Sequence, residues 1–100
     1  MLHYTASKGA IATFTRTLSR ELGEHGICVN TLSPGLVMSD TLVATGTHDE
    51  ALQARVVGSR AFKRDQFPPD LIGALIFLSS SDSDFVTGQT VAVDGGSVNT

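Results

Sequence analysis

Cysteine occurs once in these 100 residues, as Cys28, so no internal disulfide can form, and a reducing compartment is the natural setting. It lies in a largely apolar run, where a buried, inert thiol is expected rather than a nucleophile. Basic charge is also sparse. Seven Lys and Arg are scattered against ten acids, for a net charge of −3, and nothing clusters into the basic stripe of a nucleic-acid surface. Long apolar runs are missing: the longest, Leu71 to Leu78, is far too short to cross a bilayer. The N-terminus lacks the basic-then-apolar order of a signal peptide. Neither nucleic acid nor membrane is therefore an expected partner, and a soluble cytoplasmic protein is the expectation. Repeats and low-complexity linkers are absent too. What is present is ordinary for a globular chain: a hydrophobic share of 41% with ten glycines argues against disorder. The length allows one domain with a modest core.

Apolar spacing predicts a helix from Tyr4 to Leu22. Ala10, Phe14, Leu18 and Leu22 recur every fourth residue and Ile11 widens the stripe, while Gly23 and Gly26 supply the stop. Ile27-Cys28-Val29-Asn30-Thr31-Leu32, rich in branched residues and bounded by Gly26 and Pro34, reads as a β-strand. Pro34-Gly35 breaks the pattern, so Ser33 to Ser39 is expected as a loop leaving the strand. From Asp40 to Pro69 the pattern weakens. Thr47 and Glu50 resemble a capping box and predict a helix from His48 to Ser59. Around it lie apolar residues without a clean period, among them Leu36, Val37, Met38, Phe62 and Phe67. This segment, about residues 36–69, suits either a lid over a pocket or a surface insertion packed on its own body.

Pro68-Pro69-Asp70 is a good helix start, and the helix it opens, to Ser80, is apolar almost all round, so burial is expected. Ser79 to Asp84 reads as a polar turn, and Thr90-Val91-Ala92-Val93 as a second strand ended by Asp94-Gly95-Gly96. The strands are separated by helices, which implies parallel pairing through a right-handed crossover. Two parallel strands do not make a sheet that stands alone. The expected fold is therefore α/β: the C-terminal part of a Rossmann-like, doubly wound parallel sheet, incomplete in this chain.

Tyr4 and Lys8 are the most suggestive chemical pair. Four residues apart on a helix, they share one face, one turn from each other. A cation beside a phenol favours the phenolate, and a phenol so placed can exchange a proton with a carbonyl or alcohol oxygen. The spacing is common on any helix, so it identifies nothing alone. His3, His25 and His48 are far apart, without a second ligand at helix spacing. Ser7 and Ser33 lack a local base or the glycines of a nucleophile elbow. Asp49-Glu50 reads as first-turn helix acids rather than paired catalytic carboxylates.

Four motifs in order carry a family resemblance. Tyr4-Thr5-Ala6-Ser7-Lys8, Val29-Asn30, Ser33-Pro34-Gly35-Leu36-Val37, and Phe85-Val86-Thr87-Gly88-Gln89 with Val93-Asp94-Gly95-Gly96 together resemble the short-chain dehydrogenase/reductase family over essentially the whole of residues 1–100. Within it the chain looks like 3-oxoacyl-carrier-protein reductase and secondary-alcohol dehydrogenase members. The resemblance implies that Tyr4 donates a proton to a substrate carbonyl in reduction, or accepts one in alcohol oxidation. Lys8 would assist Tyr4 and bond the nicotinamide ribose of NAD or NADP. Pro34 and Gly35 would shape a loop beside the nicotinamide, the Val37 backbone would bind its carboxamide, and Ser39, where the family usually has Thr, would keep a hydroxyl contact. Asp94-Gly95-Gly96 would be structural.

The same resemblance marks what these residues do not include. The family's glycine-rich loop, which cradles the pyrophosphate at a helix N-terminus, has no counterpart, because Gly95-Gly96 precedes no helix. The residue that selects NAD or NADP and the active-site serine and asparagine would lie upstream. The expectation is an NAD(P)-dependent oxidoreductase acting on a small-molecule carbonyl/alcohol pair, here without its N-terminal cofactor-binding half. By itself such a chain should be inactive, with weak or no nicotinamide binding. The alternative is a non-catalytic remnant or interaction module. Family members commonly pair through the helix bearing the Tyr and Lys and through the last strand, so a homo-oligomer or association with relatives is implied.

Overall fold

The computed structural model describes residues 2–39 and 50–97. The elements are α1 (Leu2–Leu22), a 3-10 turn (Gly23–His25), β1 (Thr31–Pro34), α2 (Glu50–Ser59), a 3-10 turn (Pro68–Leu71), α3 (Ile72–Leu78), a further 3-10 turn (Ser81–Ser83) and β2 (Thr90–Val93). They fall into two compact units, Met1–Leu32 with Leu75–Val91, and Ser33–Ala74 with Ala92–Thr100.

β1 and β2 form a two-stranded sheet. Thr31 N–H donates to Gln89 O (2.9 Å) and Gly35 N–H to Val93 O (3.1 Å). The register advances in the same direction along both strands, so the pairing is parallel, as the element order requires.

In the first unit, α1 starts two residues before the predicted Tyr4 and ends at Leu22 as expected. Gly26, with φ of 73°, closes the following turn, its N–H bonded to Gly23 O. Thr15, 4% exposed, donates its hydroxyl to Ile11 O (2.8 Å). Its single hydrogen is thereby used, so the 2.6 Å contact with Thr31 Oγ1 is donated by Thr31.

The first strand differs from the expected Ile27 to Leu32. It begins at Thr31 and includes Ser33 and Pro34. The reason is that the early residues spend their polar groups on another segment: Val29 N–H bonds Thr87 Oγ1 (3.0 Å), and Val29 O accepts from Gly88 N–H (2.7 Å). Pro34 fits the strand because Thr31 and Gly35 turn their N–H groups to β2, leaving Pro34's missing donor on the opposite edge. Cys28, expected to be buried, is exposed, its Sγ 3.8 Å from Asp84 O.

In the second unit, α2 is described from Glu50 to Ser59; the Thr47 cap and His48 lie outside the described residues. The helix expected from Asp70 to Ser80 opens instead as a 3-10 turn over Pro68–Leu71 and is α-helical only at Ile72–Leu78. Its apolar surface is not buried as predicted: Ile72 in this unit is 50% exposed, and Leu75, Ile76 and Phe77, which fall in the first unit, are 51%, 61% and 42% exposed. Among the described residues no apolar side chain is fully buried, and the buried ones are polar: Thr15, Ser19, Arg60, Gln66 and Ser83. A parallel sheet normally has both faces covered; among the described residues these apolar faces are left exposed.

Candidate functional site

Tyr4 and Lys8 lie in the first helical turns of α1. Lys8 Nζ stands 5.4 Å from the centre of the Tyr4 ring, a cation–π arrangement that follows from the four-residue spacing. Tyr4 is 54% exposed. Its carbonyl accepts from Ser7 Oγ (2.9 Å), while no hydrogen bond among the described residues engages its hydroxyl. The first unit thus presents an accessible phenol with an ammonium at its face, the donor set a proton exchange with a bound carbonyl requires.

The same unit brings two of the sequence motifs together. Asn30 Nδ2–H donates to Val86 O (2.9 Å), and Asn30 Oδ1 accepts from Gln89 N–H (3.1 Å). With the Val29 bonds to Thr87 and Gly88, this forms a polar clasp that seats the start of β1 on the segment entering β2. Gly88 is required there: its φ is 73°, and a methyl group on it would stand 2.7 Å from Ser19 Oγ. The hydrogen bonds of each motif among the described residues go largely to the other.

Pro34, Gly35, Val37 and Ser39 belong to the second unit. Gly35 is a space requirement rather than a conformational one. A methyl group there would stand 2.9 Å from both Arg60 Nη2 and Gln66 Oε1, and 3.2 Å from Asp94 Cβ. Val37 forms a parallel bridge with Gln66, Met38 N–H donates to Gln66 O (2.7 Å), and Ser39 is half-buried. The expected structural role of Asp94-Gly95-Gly96 has a geometry: Asp94 Oδ1 accepts from Gly96 N–H (3.0 Å) and Ser97 N–H (3.2 Å), with Gly95 and Gly96 at φ of 68° and 87°.

Two residues that sequence reasoning did not single out hold this loop. Arg60, 3% exposed, donates to Arg64 O (3.0 Å), Leu36 O (2.9 Å) and Gln66 Oε1 (3.4 Å), while its Nε is buried without a partner. Gln66, 6% exposed, donates through Nε2 to Val93 O (2.6 Å). Nothing in the sequence marks either: Arg60 reads as a cation just past a helix end, and Gln66 as a polar linker residue.

Beside them, Arg64 grips Asp70 with both terminal nitrogens at 2.9 Å, and Asp70 Oδ2 also accepts from Phe67 N–H (2.9 Å). The Arg64 hydrogen bond first, then the Phe67 N–H, pull the Asp70 carboxyl down to about 2, while the same hydrogen bond raises Arg64. This ties the chain before Pro68 into the turn that starts α3. A cavity of about 380 Å³ in this unit is lined by Arg60, Phe62, Arg64, Asp94 and neighbouring residues; none of the sequence-predicted site residues lines it.

Residues 1–98 match the family model described as enoyl-(acyl carrier protein) reductase. The 5-keto-D-gluconate 5-reductase of Escherichia coli is 43% identical over 93 residues, covering 93% of this chain and 36% of the relative. A short-chain dehydrogenase from Leptospira borgpetersenii, solved with bound NAD+, is 33% identical with a TM-score of 0.81, covering 93% of this chain and 34% of that one. A 3-oxoacyl-[acyl-carrier protein] reductase from Brucella melitensis is 37% identical with a TM-score of 0.79, covering 97% and 35%. The chain therefore spans about a third of the length of the proteins it matches, and its two parallel strands correspond to part of their Rossmann-like fold.

Proposed function

The chain belongs to the short-chain dehydrogenase/reductase family, and from that premise we propose that it carries the proton-transfer end of an NAD(P)-dependent oxidoreductase site acting on a small-molecule carbonyl/alcohol pair. The observation that carries this reading is the exposed Tyr4 phenol with the Lys8 ammonium 5.4 Å from its ring centre.

The residues present fit one end of the cofactor. Lys8 offers N–H donors for the ribose hydroxyls, and the Val37 peptide, with the Ser39 hydroxyl nearby in sequence, offers the donors and acceptors a carboxamide takes. No glycine-rich turn in the sequence leads into a helix, so the pyrophosphate has no cradle among these residues. The nicotinamide, when bound, supplies or takes the hydride. Tyr4 supplies the matching proton: in reduction its hydroxyl protonates the carbonyl oxygen, and in oxidation the phenolate removes the alcohol proton.

NAD is the cofactor held by the Leptospira relative, and the gluconate reductase and acyl-carrier reductase relatives act on carbonyls. These support the substrate class without selecting a substrate. Reading the coding sequence upstream in frame tests the proposal. A glycine-rich strand–helix start there supports an oxidoreductase of which these residues are the C-terminal portion. Its absence sinks that version.

A second reading has its own observation. Tyr4, Phe14, Leu75, Ile76 and Phe85 are all more than half exposed, a surface that favours association with a second copy or with full-length relatives. Size-exclusion chromatography separates the two: a stable, compact monomer counts against an interaction module.

A further inference from the structure

We propose that Arg60 and Gln66 are positioning residues for Gly35–Met38, setting the peptide geometry of the segment assigned above to the nicotinamide carboxamide; the inference rests on that assignment. A guanidinium that is 3% exposed is costly unless its hydrogen bonds are made. Arg60 spends its terminal N–H groups on two backbone carbonyls and one side-chain amide oxygen, with Nε unpartnered. One terminal nitrogen reaches Arg64 O, and the other reaches Leu36 O and Gln66 Oε1. The planar fork therefore ties the loop leaving β1 to the chain that precedes α3, in a fixed two-pronged geometry that the compact ammonium of a lysine does not reproduce.

Gln66 completes the clamp from the other side. Its Oε1 faces Arg60, which leaves Nε2 to donate to Val93 O at 2.6 Å. Its own backbone pairs with Val37 and accepts from Met38 N–H. Three successive residues, Leu36, Val37 and Met38, are thus held by one side chain, Arg60 on Leu36 O, and by the Gln66 backbone on Val37 and Met38, while the Gln66 side chain braces Arg60 against β2. Gly35 leaves the room: a methyl group would meet both Arg60 Nη2 and Gln66 Oε1 at 2.9 Å. Packing needs alone would be met by apolar residues of similar volume. A buried cation aimed at the Leu36 carbonyl, held in place by a buried amide that is itself tied to Val93 O, fixes the direction of the segment's carbonyl and N–H groups.

The test uses the 15N-labelled full chain, amide hydrogen exchange, and titration with NADH into the millimolar range followed residue by residue. Arg60→Lys keeps the charge, Gln66→Leu keeps the volume, and Lys63→Ala, whose ammonium bonds only Gly58 O in the described structure, is the control. In the wild type and the control, the Met38 amide is protected and NADH shifts the Val37 and Met38 amides. In both clamp variants, Met38 protection and the NADH-induced shifts fall at least tenfold while the α1 amides keep their positions. An unprotected Met38 in the wild type, or variants that retain protection and the NADH response, overturns the clamp. A protected Met38 with no NADH response at Val37 and Met38 in the wild type overturns the assignment to nicotinamide instead, and with it the positioning role.

Discussion

The Lys8 ammonium stands 5.4 Å from the centre of the Tyr4 ring, on the same face of one helix. No hydrogen bond among the described residues engages the phenol hydroxyl, so it is available to a third molecule. In an assembly that turns over a carbonyl, Tyr4→Phe removes the hydroxyl proposed as proton donor. Turnover should fall about 10²-fold or more with cofactor affinity changed little, since the ring and Lys8 remain. Steady-state kinetics of the two proteins check this; an active Phe variant assigns the proton to another group.

Two glycines respond to alanine in opposite directions. Gly35→Ala forces its methyl group against Arg60 and Gln66 and should cost about 1–3 kcal/mol. Gly9→Ala, inside α1 with nothing within 4 Å, should gain about 0.5–1 kcal/mol through helix propensity. Urea denaturation of both variants measures the contrast, and equal effects would remove the steric account of Gly35.

Asn30 bridges Val86 O and Gln89 N–H through both ends of its amide. Asn30→Asp keeps the acceptor and loses the donor, leaving a carboxylate oxygen facing a carbonyl. The loss should be about 1–3 kcal/mol, read as a lowered urea midpoint with the slope unchanged.

Asp70 gives the pH dependence. Its folded carboxyl titrates at about 2, below its ordinary value, because Arg64 and the Phe67 N–H hold the charged form. The unfolded chain therefore takes up the proton first as pH falls. The stabilisation is complete above the ordinary carboxylate value near 4 and is lost as pH drops through about 2. Side-chain carboxyl NMR across pH 1.5–6 should place the Asp70 midpoint near 2. Arg64→Met should return it toward the ordinary value, and a midpoint indifferent to Arg64 contradicts the assignment.

Local pattern made parts of this structure legible. Four-residue spacing gave α1 its end at Leu22, and Thr90–Val93 is the strand its branched residues predict. The acid after Pro68-Pro69 is the cap that Asp70 forms. Where side chains answer to partners distant in sequence, pattern was silent or misleading. Ile27 to Asn30 look like strand, but their polar groups go to Thr87, Gly88 and neighbours, so β1 starts at Thr31. Cys28 and the apolar face of α3 read as buried because apolar runs usually are; among the described residues they are left exposed. Arg60 and Gln66 were invisible, since a buried polar clamp has no periodicity.

The central claim is that Tyr4 and Lys8 belong to an oxidoreductase site whose cofactor contacts lie mostly outside these residues. Fluorescence titration of the purified chain with NADH and NADPH tests it most directly. The account predicts binding weaker than micromolar for both nucleotides and no turnover of carbonyl or alcohol. A micromolar dissociation constant would contradict it, because these 100 residues would then contain the cradle that the sequence does not show.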